Sequence, residues 1–178
     1  MNNESSRSEG LRFVVFNTEE ILRVLPVPAA GVVTIGRGEG NTVEVTDGAV
    51  SRRHVKITIS SEPAGPRLTV EDLASRNGTQ VNDGTIPPAS PTTFQVGELV
   101  IVGSTALVVV RGDPPPAPEL FADLRRAFER REEEAELYRR FAPRVRLFGL
   151  RHLRNEAAAQ DLVQEAFVVT LERLSSCL

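Results

Sequence analysis

The chain of 178 residues is short of cysteine, of histidine and of long apolar runs, and each shortage narrows what it can be. Its single cysteine, Cys177, has no partner in the chain, so no internal disulfide forms and no oxidising compartment is implied. The two histidines, His54 and His152, have no cysteine or histidine at ligand spacing, so no metal site and no cofactor are expected. No stretch reaches the roughly 18 consecutive apolar residues of a membrane span. The polar opening Met1–Gly10 lacks the apolar core of a secretory signal, and together these features read as a cytoplasmic protein without a membrane partner. A surplus of positive charge is also lacking: a formal net charge of −3 argues against a general nucleic-acid binder, so direct DNA binding is not expected. Nucleophile elbow and P-loop are missing, and Glu71-Asp72, a tight acidic pair of the β-rich part, closes a strand before a turn. Without a nucleophile and activator, or a carboxylate and metal set, the chain is expected to bind rather than catalyse.

What is present is a series of short β-rich runs separated by turn residues: Arg12–Phe16, Ile21–Leu25, Val32–Ile35, Val43–Val45, Val55–Ile59, Leu68–Val70, Thr79–Val81, Leu99–Val102 and Ala106–Val110. That many short strands at this spacing predict a β-sandwich, with a tight turn at Asn82-Asp83-Gly84, where Asp-Gly tolerates positive φ. Composition then changes at Gly112-Asp113-Pro114-Pro115-Pro116-Ala117-Pro118, a stiff linker. Beyond it, Phe121, Leu124, Phe128, Ala135, Tyr138 and Phe141 recur at helical steps. Pro143 ends or kinks that helix or opens the next one, a short apolar helix through Val145, Leu147, Phe148, Leu150 and Leu153. Asn155 is placed to cap a third helix that sends Ala159, Leu162, Val163, Ala166, Phe167 and Leu174 to a core. The expected organisation is a flexible arm over 1–9, a sandwich over 10–112, a linker over 113–118 and a helical segment over 119–178, marginal as an independent domain.

Three polar blocks stand at the ends of strand-like runs: Gly36-Arg37, Ser51-Arg52-Arg53-His54 and Ser75-Arg76-Asn77-Gly78-Thr79. Arginine offers a fixed fork of donors, serine a hydroxyl, and asparagine an amide able to grip a peptide backbone. In order and spacing the blocks resemble the forkhead-associated (FHA) domain over roughly residues 10–112, which implies a mainly β, FHA-type sandwich that reads phosphothreonine peptides downstream of Ser/Thr protein kinases. Carried over by motif, Arg37 bonds the peptide backbone and helps hold the phosphate, Ser51 donates its hydroxyl to a phosphate oxygen, and Arg52 is the charged partner beside it. Asn77 clamps the peptide main chain, and Arg76, where the family often has threonine, adds charge or reaches the peptide. The resemblance makes Gly36, His54, Gly78 and Thr79 structural.

The stretches Leu137-Tyr138-Arg139-Arg140-Phe141-Ala142-Pro143-Arg144-Val145 and Ala159-Gln160-Asp161-Leu162-Val163-Gln164-Glu165-Ala166-Phe167 are similar to the start of region 2 of bacterial extracytoplasmic-function sigma factors. This second resemblance implies a helix that docks on the coiled coil of the RNA polymerase beta-prime subunit, with Asp161, Gln164, Glu165 and Glu172 on one face. It covers about 40 residues and lacks the promoter-reading segments. It leaves open a polymerase-binding regulator, or a truncated sigma factor of that group, with the sandwich as its phosphorylation-controlled input.

Overall fold

Alternation of apolar and polar residues dictates the strands, and their pairing sets where the three polar blocks end up. The computed structural model describes residues 10–63, 65–153 and 155–175, with side chains of the last helix described as far as Val169. The arm over 1–9 and Cys177 lie outside the described residues, as do the side chains of Glu172 and Leu174. Eleven strands form: β1 (Leu11–Phe16), β2 (Ile21–Pro26), β3 (Gly31–Gly36), β4 (Val43–Glu44), β5 (Val55–Glu62), β6 (Gly65–Asp72), β7 (Thr79–Val81), β8 (Gly84–Thr85), β9 (Thr92–Phe94), β10 (Leu99–Val102) and β11 (Thr105–Arg111). They build a six-stranded sheet in the order β2-β1-β11-β10-β7-β8 and a five-stranded sheet in the order β4-β3-β5-β6-β9.

In β5 the alternating Val55, Ile57 and Ile59 turn inward, and in β6 Leu68 and Val70 do the same. They meet Phe13, Val15, Val100, Val102, Leu107 and Val109 of the opposing sheet in one core. The residues between these in the larger sheet, Val14, Phe16, Ile101, Ala106 and Val108, are buried as well. Continuous burial of this kind needs a cover on the second face. The cover comes from the start of helix α1 (Ala117–Leu153): Leu120 and Leu124 are buried, the Phe121 ring centroid lies 6.4 Å from that of Phe16, and Arg125 donates to the Thr18 carbonyl at 2.8 Å.

The chain divides into two units, 1–125 and 126–178. The division therefore falls inside α1 rather than at the proline run, because the first turns of the helix pack with the sandwich. Pro116 begins the helix by accepting the amide hydrogens of Glu119 at 3.0 Å and Leu120 at 3.4 Å, and Pro118 sits in the first turn, where a missing N–H costs nothing.

In the second unit two helices stand where the sequence suggests three. α1 runs through Pro143 to Leu153, and α2 spans Glu156–Ser175. Ala142, Val163 and Phe167 form a small core joined by Leu137 and Val145, so contacts with α2 on both sides of Pro143 hold α1 together despite its lost backbone bond. Asn155 caps α2, its Oδ1 accepting the amide hydrogens of Ala157 at 2.9 Å and Ala158 at 3.3 Å.

Candidate phosphate-binding site

The strand register gathers the polar blocks. β3 and β5 are antiparallel with Ile35 opposite Val55, and β5 and β6 are antiparallel with Val55 opposite Asp72. The end of β3, the start of β5 and the end of β6 therefore lie side by side, and their loops share one end of the sandwich.

At that end Arg37, Gly48, Ala49, Val50, Ser51, Arg52 and Arg76 line a pocket of about 290 Å³. Arg37 is fixed by its backbone N–H to the Ser51 carbonyl at 2.9 Å and by its side-chain Nε to the Val50 carbonyl at 3.1 Å. The two terminal nitrogens of its guanidinium remain for a ligand. Ser51 Oγ accepts the amide hydrogen of Arg76 at 3.0 Å, so the hydroxyl spends a lone pair on the protein and keeps its own hydrogen to donate. Asn77 Nδ2 donates to the Ala49 carbonyl at 2.7 Å, which leaves its Oδ1 and a second amide hydrogen available beside the pocket.

Beneath these exposed groups the loops are tied by buried ones. His54 is fully buried; its Nδ1 accepts the Ser51 amide hydrogen at 3.1 Å, so Nε2 carries the proton and donates to the Gly78 carbonyl at 3.0 Å. One imidazole thus joins the loop that bears Ser51 to the loop that bears Asn77. A Cβ on Gly36 would stand 2.3 Å from the Arg52 carbonyl oxygen, so only glycine lets these two loops approach. Gly78 has φ of 73°, a left-handed value that glycine adopts freely. Thr79 is fully buried and donates its hydroxyl to Asp72 Oδ2 at 2.5 Å.

Three supporting residues carry no signal among the polar blocks. Asp72 is 1% exposed and, besides Thr79, takes the Ser75 amide hydrogen at 2.7 Å and the Ser75 hydroxyl at 2.6 Å. Burial pushes its carboxyl up, but the hydroxyls of Ser75 and Thr79 and the Ser75 amide outweigh this, and the pKa lies below the ordinary value of 3.8. Asp47 behaves alike: burial raises it, while bonds from Ala49, Ser104 and Thr105 bring it below 3.8 and tie the pocket loop to the β10–β11 turn. Asn41 Nδ2 donates to the Arg52 carbonyl at 2.8 Å and the Gly38 carbonyl at 2.7 Å. The sequence does carry a faint trace of Asp72, a strand-ending aspartate with a serine three residues on.

Asp161, Gln164 and Glu165 do not join this pocket: they are exposed on α2, in the other unit. Among the described residues no cluster of His, Cys, Asp and Glu could hold a metal ion, and no helix is long and apolar enough to cross a membrane.

Residues 33–103, the span holding all three loops, match the family model of the FHA domain. The sandwich is an FHA-like fold. A curated relative, the FHA domain-containing protein FhaB of Mycolicibacterium smegmatis, is 33% identical over 75 residues, covering 42% of this chain and 44% of that protein. The match therefore spans under half of the relative's length. The FHA domain of the Chlamydia trachomatis protein CT664 superposes with a TM-score of 0.51 at 22% identity, covering 58% of this chain and 99% of that one. Full-length yeast Pml1p gives a TM-score of 0.51 at 17% identity over 61% of this chain and 85% of its own. These structural likenesses concern the FHA fold alone.

Proposed function

We propose that the loop end of the sandwich binds phosphothreonine peptides, making the chain a non-enzymatic adaptor downstream of Ser/Thr protein kinases. FHA domains are phosphopeptide-binding modules that take phosphothreonine in signalling. The observation that carries the reading is the convergence of Arg37, Arg52 and Arg76 with a Ser51 hydroxyl whose hydrogen is free to donate. A phosphothreonine brings about −1.5 to −2 charges and three acceptor oxygens. Charge-assisted hydrogen bonds from Arg37, Ser51 and Arg52 answer both, at roughly 1.5–3 kcal/mol each. Asn77 is positioned to grip the main chain of the peptide. Titration by fluorescence polarisation against a degenerate phosphothreonine library and its unphosphorylated twin tests this. Binding is expected to the phosphorylated pool only, falling about tenfold or more in Ser51→Ala and in Arg37→Ala. Affinity unchanged in both variants would end the assignment.

A second reading concerns the helical segment and is favoured by the exposure of Asp161, Gln164 and Glu165 together on α2. These residues form a polar strip opposite the buried Ala159, Val163 and Phe167, suited to a basic or amide-rich coiled coil such as that of the RNA polymerase beta-prime subunit. In that case the sandwich couples kinase signalling to transcription. The full chain is expected to retain the beta-prime coiled coil at low salt, and Asp161→Ala with Gln164→Ala to abolish retention. Failure of the unaltered chain to hold it would remove this reading.

A further inference from the structure

We infer that the peptide taken by this site carries a second anionic group, a carboxylate or another phosphate, within about three residues of its phosphothreonine, and that Arg76 reads it. The inference rests on the phosphopeptide reading above. A phosphate monoester at neutral pH is balanced by two guanidinium groups, and Arg37 and Arg52 supply two, with Ser51 adding a neutral donor. Arg76 brings a third guanidinium to the same pocket, whose lining has no acidic side chain. Arg76 makes no ion pair among the described residues. With the phosphate in place, the lining would keep a surplus positive charge of about one.

The position of Arg76 is built rather than incidental. Its own amide hydrogen goes to Ser51 Oγ at 3.0 Å, the amide of Ser75 before it goes to Asp72 Oδ1 at 2.7 Å, and the side chain of Asn77 after it goes to the Ala49 carbonyl at 2.7 Å. The backbone that carries this guanidinium is thus anchored on both sides, next to the asparagine placed to grip the peptide. Arg53 makes the contrast: it is exposed and adjacent to Arg52, yet it does not line the pocket. An extended peptide advances about 3.3–3.6 Å per residue. A cation carried by backbone anchored next to Asn77 therefore meets side chains one to three positions from the phosphate.

The test compares matched phosphothreonine peptides on the full chain: one with neutral flanks, a set with one aspartate at each of three positions on either side, and a set with a second phosphothreonine at those positions. At least one acidic register is expected to bind about fivefold more tightly than the neutral peptide, and the aspartate and phosphate arms separate the two sources of charge. Arg76→Gln should bring that ratio to about one and Arg76→Glu should reverse it, while Arg53→Gln keeps it. Equal affinity for neutral and acidic peptides in every register would overturn the inference, as would a preference that survives Arg76→Gln. Phosphothreonine binding without acid preference overturns this inference alone, whereas no binding to any phosphopeptide overturns it together with the reading beneath it.

Discussion

The alternation that turns Leu68 and Val70 inward carries Asp72 inward as well, so a carboxylate lies at the root of the loop that bears Arg76 and Asn77. Its bonds to Ser75 and Thr79 are made by the ionised form, which is why its pKa lies below 3.8 although burial pushes the other way. A carboxyl depressed in the folded state contributes stability that is complete above its unfolded value and fades as pH falls through the folded one. Asp72→Asn is therefore expected to lose about 1–3 kcal/mol at pH near 7, with the gap to the unaltered chain narrowing once pH drops below 3.8. Urea unfolding at neutral and acid pH checks this, and a gap independent of pH would refute the role given to Asp72. The acid limb that remains in the variant belongs in part to Asp47, which is depressed in the same way. At this scale the donors of the polar blocks, and Gly36, His54, Gly78 and Thr79 beneath them, stand out in the sequence, whereas the supports outside those blocks do not. Arg37, Ser51, Arg52, Arg76 and Asn77 declare themselves as donors at strand ends. Asp47 and Asn41 matter through bonds to partners such as Ser104 and Arg52, distant in sequence, which no local pattern announces.

Elements follow the same division between local and distant causes. Nine strand positions are readable from apolar alternation, but β8 (Gly84–Thr85) and β9 (Thr92–Phe94) are too short and polar to show it, and exist because β7 and β6 offer them an edge. In the turn between β7 and β8 the positive φ of 51° belongs to Asn82, while Gly84 pairs with Val81 as a strand residue. Asparagine tolerates that region through its short polar side chain, so the same three residues make the turn one position earlier than Asp-Gly suggests. The continuity of α1 through Pro143 depends on packing against α2, which the proline itself cannot reveal. That packing is close: a Cβ on Gly149 would stand 3.0 Å from the Cα of Ala159. The start of α2, by contrast, is local. Asn155→Ala removes the acceptor for two amide hydrogens and is expected to cost the helical unit about 1 kcal/mol. Thermal unfolding followed at 222 nm should show the helical signal lost at lower temperature, with phosphopeptide affinity unmoved; an unchanged helical transition would mean that the cap contributes nothing.

On the scale of the whole molecule, the two units differ in what they bury. The sandwich has a continuous core from Phe13 to Val109, whereas the apolar side chains buried in the helical unit among the described residues are mostly small, Ala127, Ala142, Ala159 and Val163 with Phe167, whose ring lies 4.8 Å from that of Tyr138. Leu147, Phe148, Leu153, Val168 and Val169 remain exposed, between 46% and 58%, so about half of the surface of these five side chains gains nothing from folding. Arg146 paired with Glu156 adds little, since both side chains are half in solvent. Free energy of opening tracks local burial, and regions with few buried apolar contacts open without global unfolding. Native-state hydrogen exchange on the full chain is thus expected to show the amides of α2 and of α1 beyond Arg126 exchanging through a low-energy opening. Those of β5 and β6, paired over Val55–Glu62 and Gly65–Asp72, should exchange only with global unfolding. A separation of protection by a factor of about a hundred or more would follow from a difference of only about 3 kcal/mol. Equal protection in both units would mean that the helical unit is held by contacts as strong as those of the sandwich core, and that its exposed apolar side chains are covered in solution.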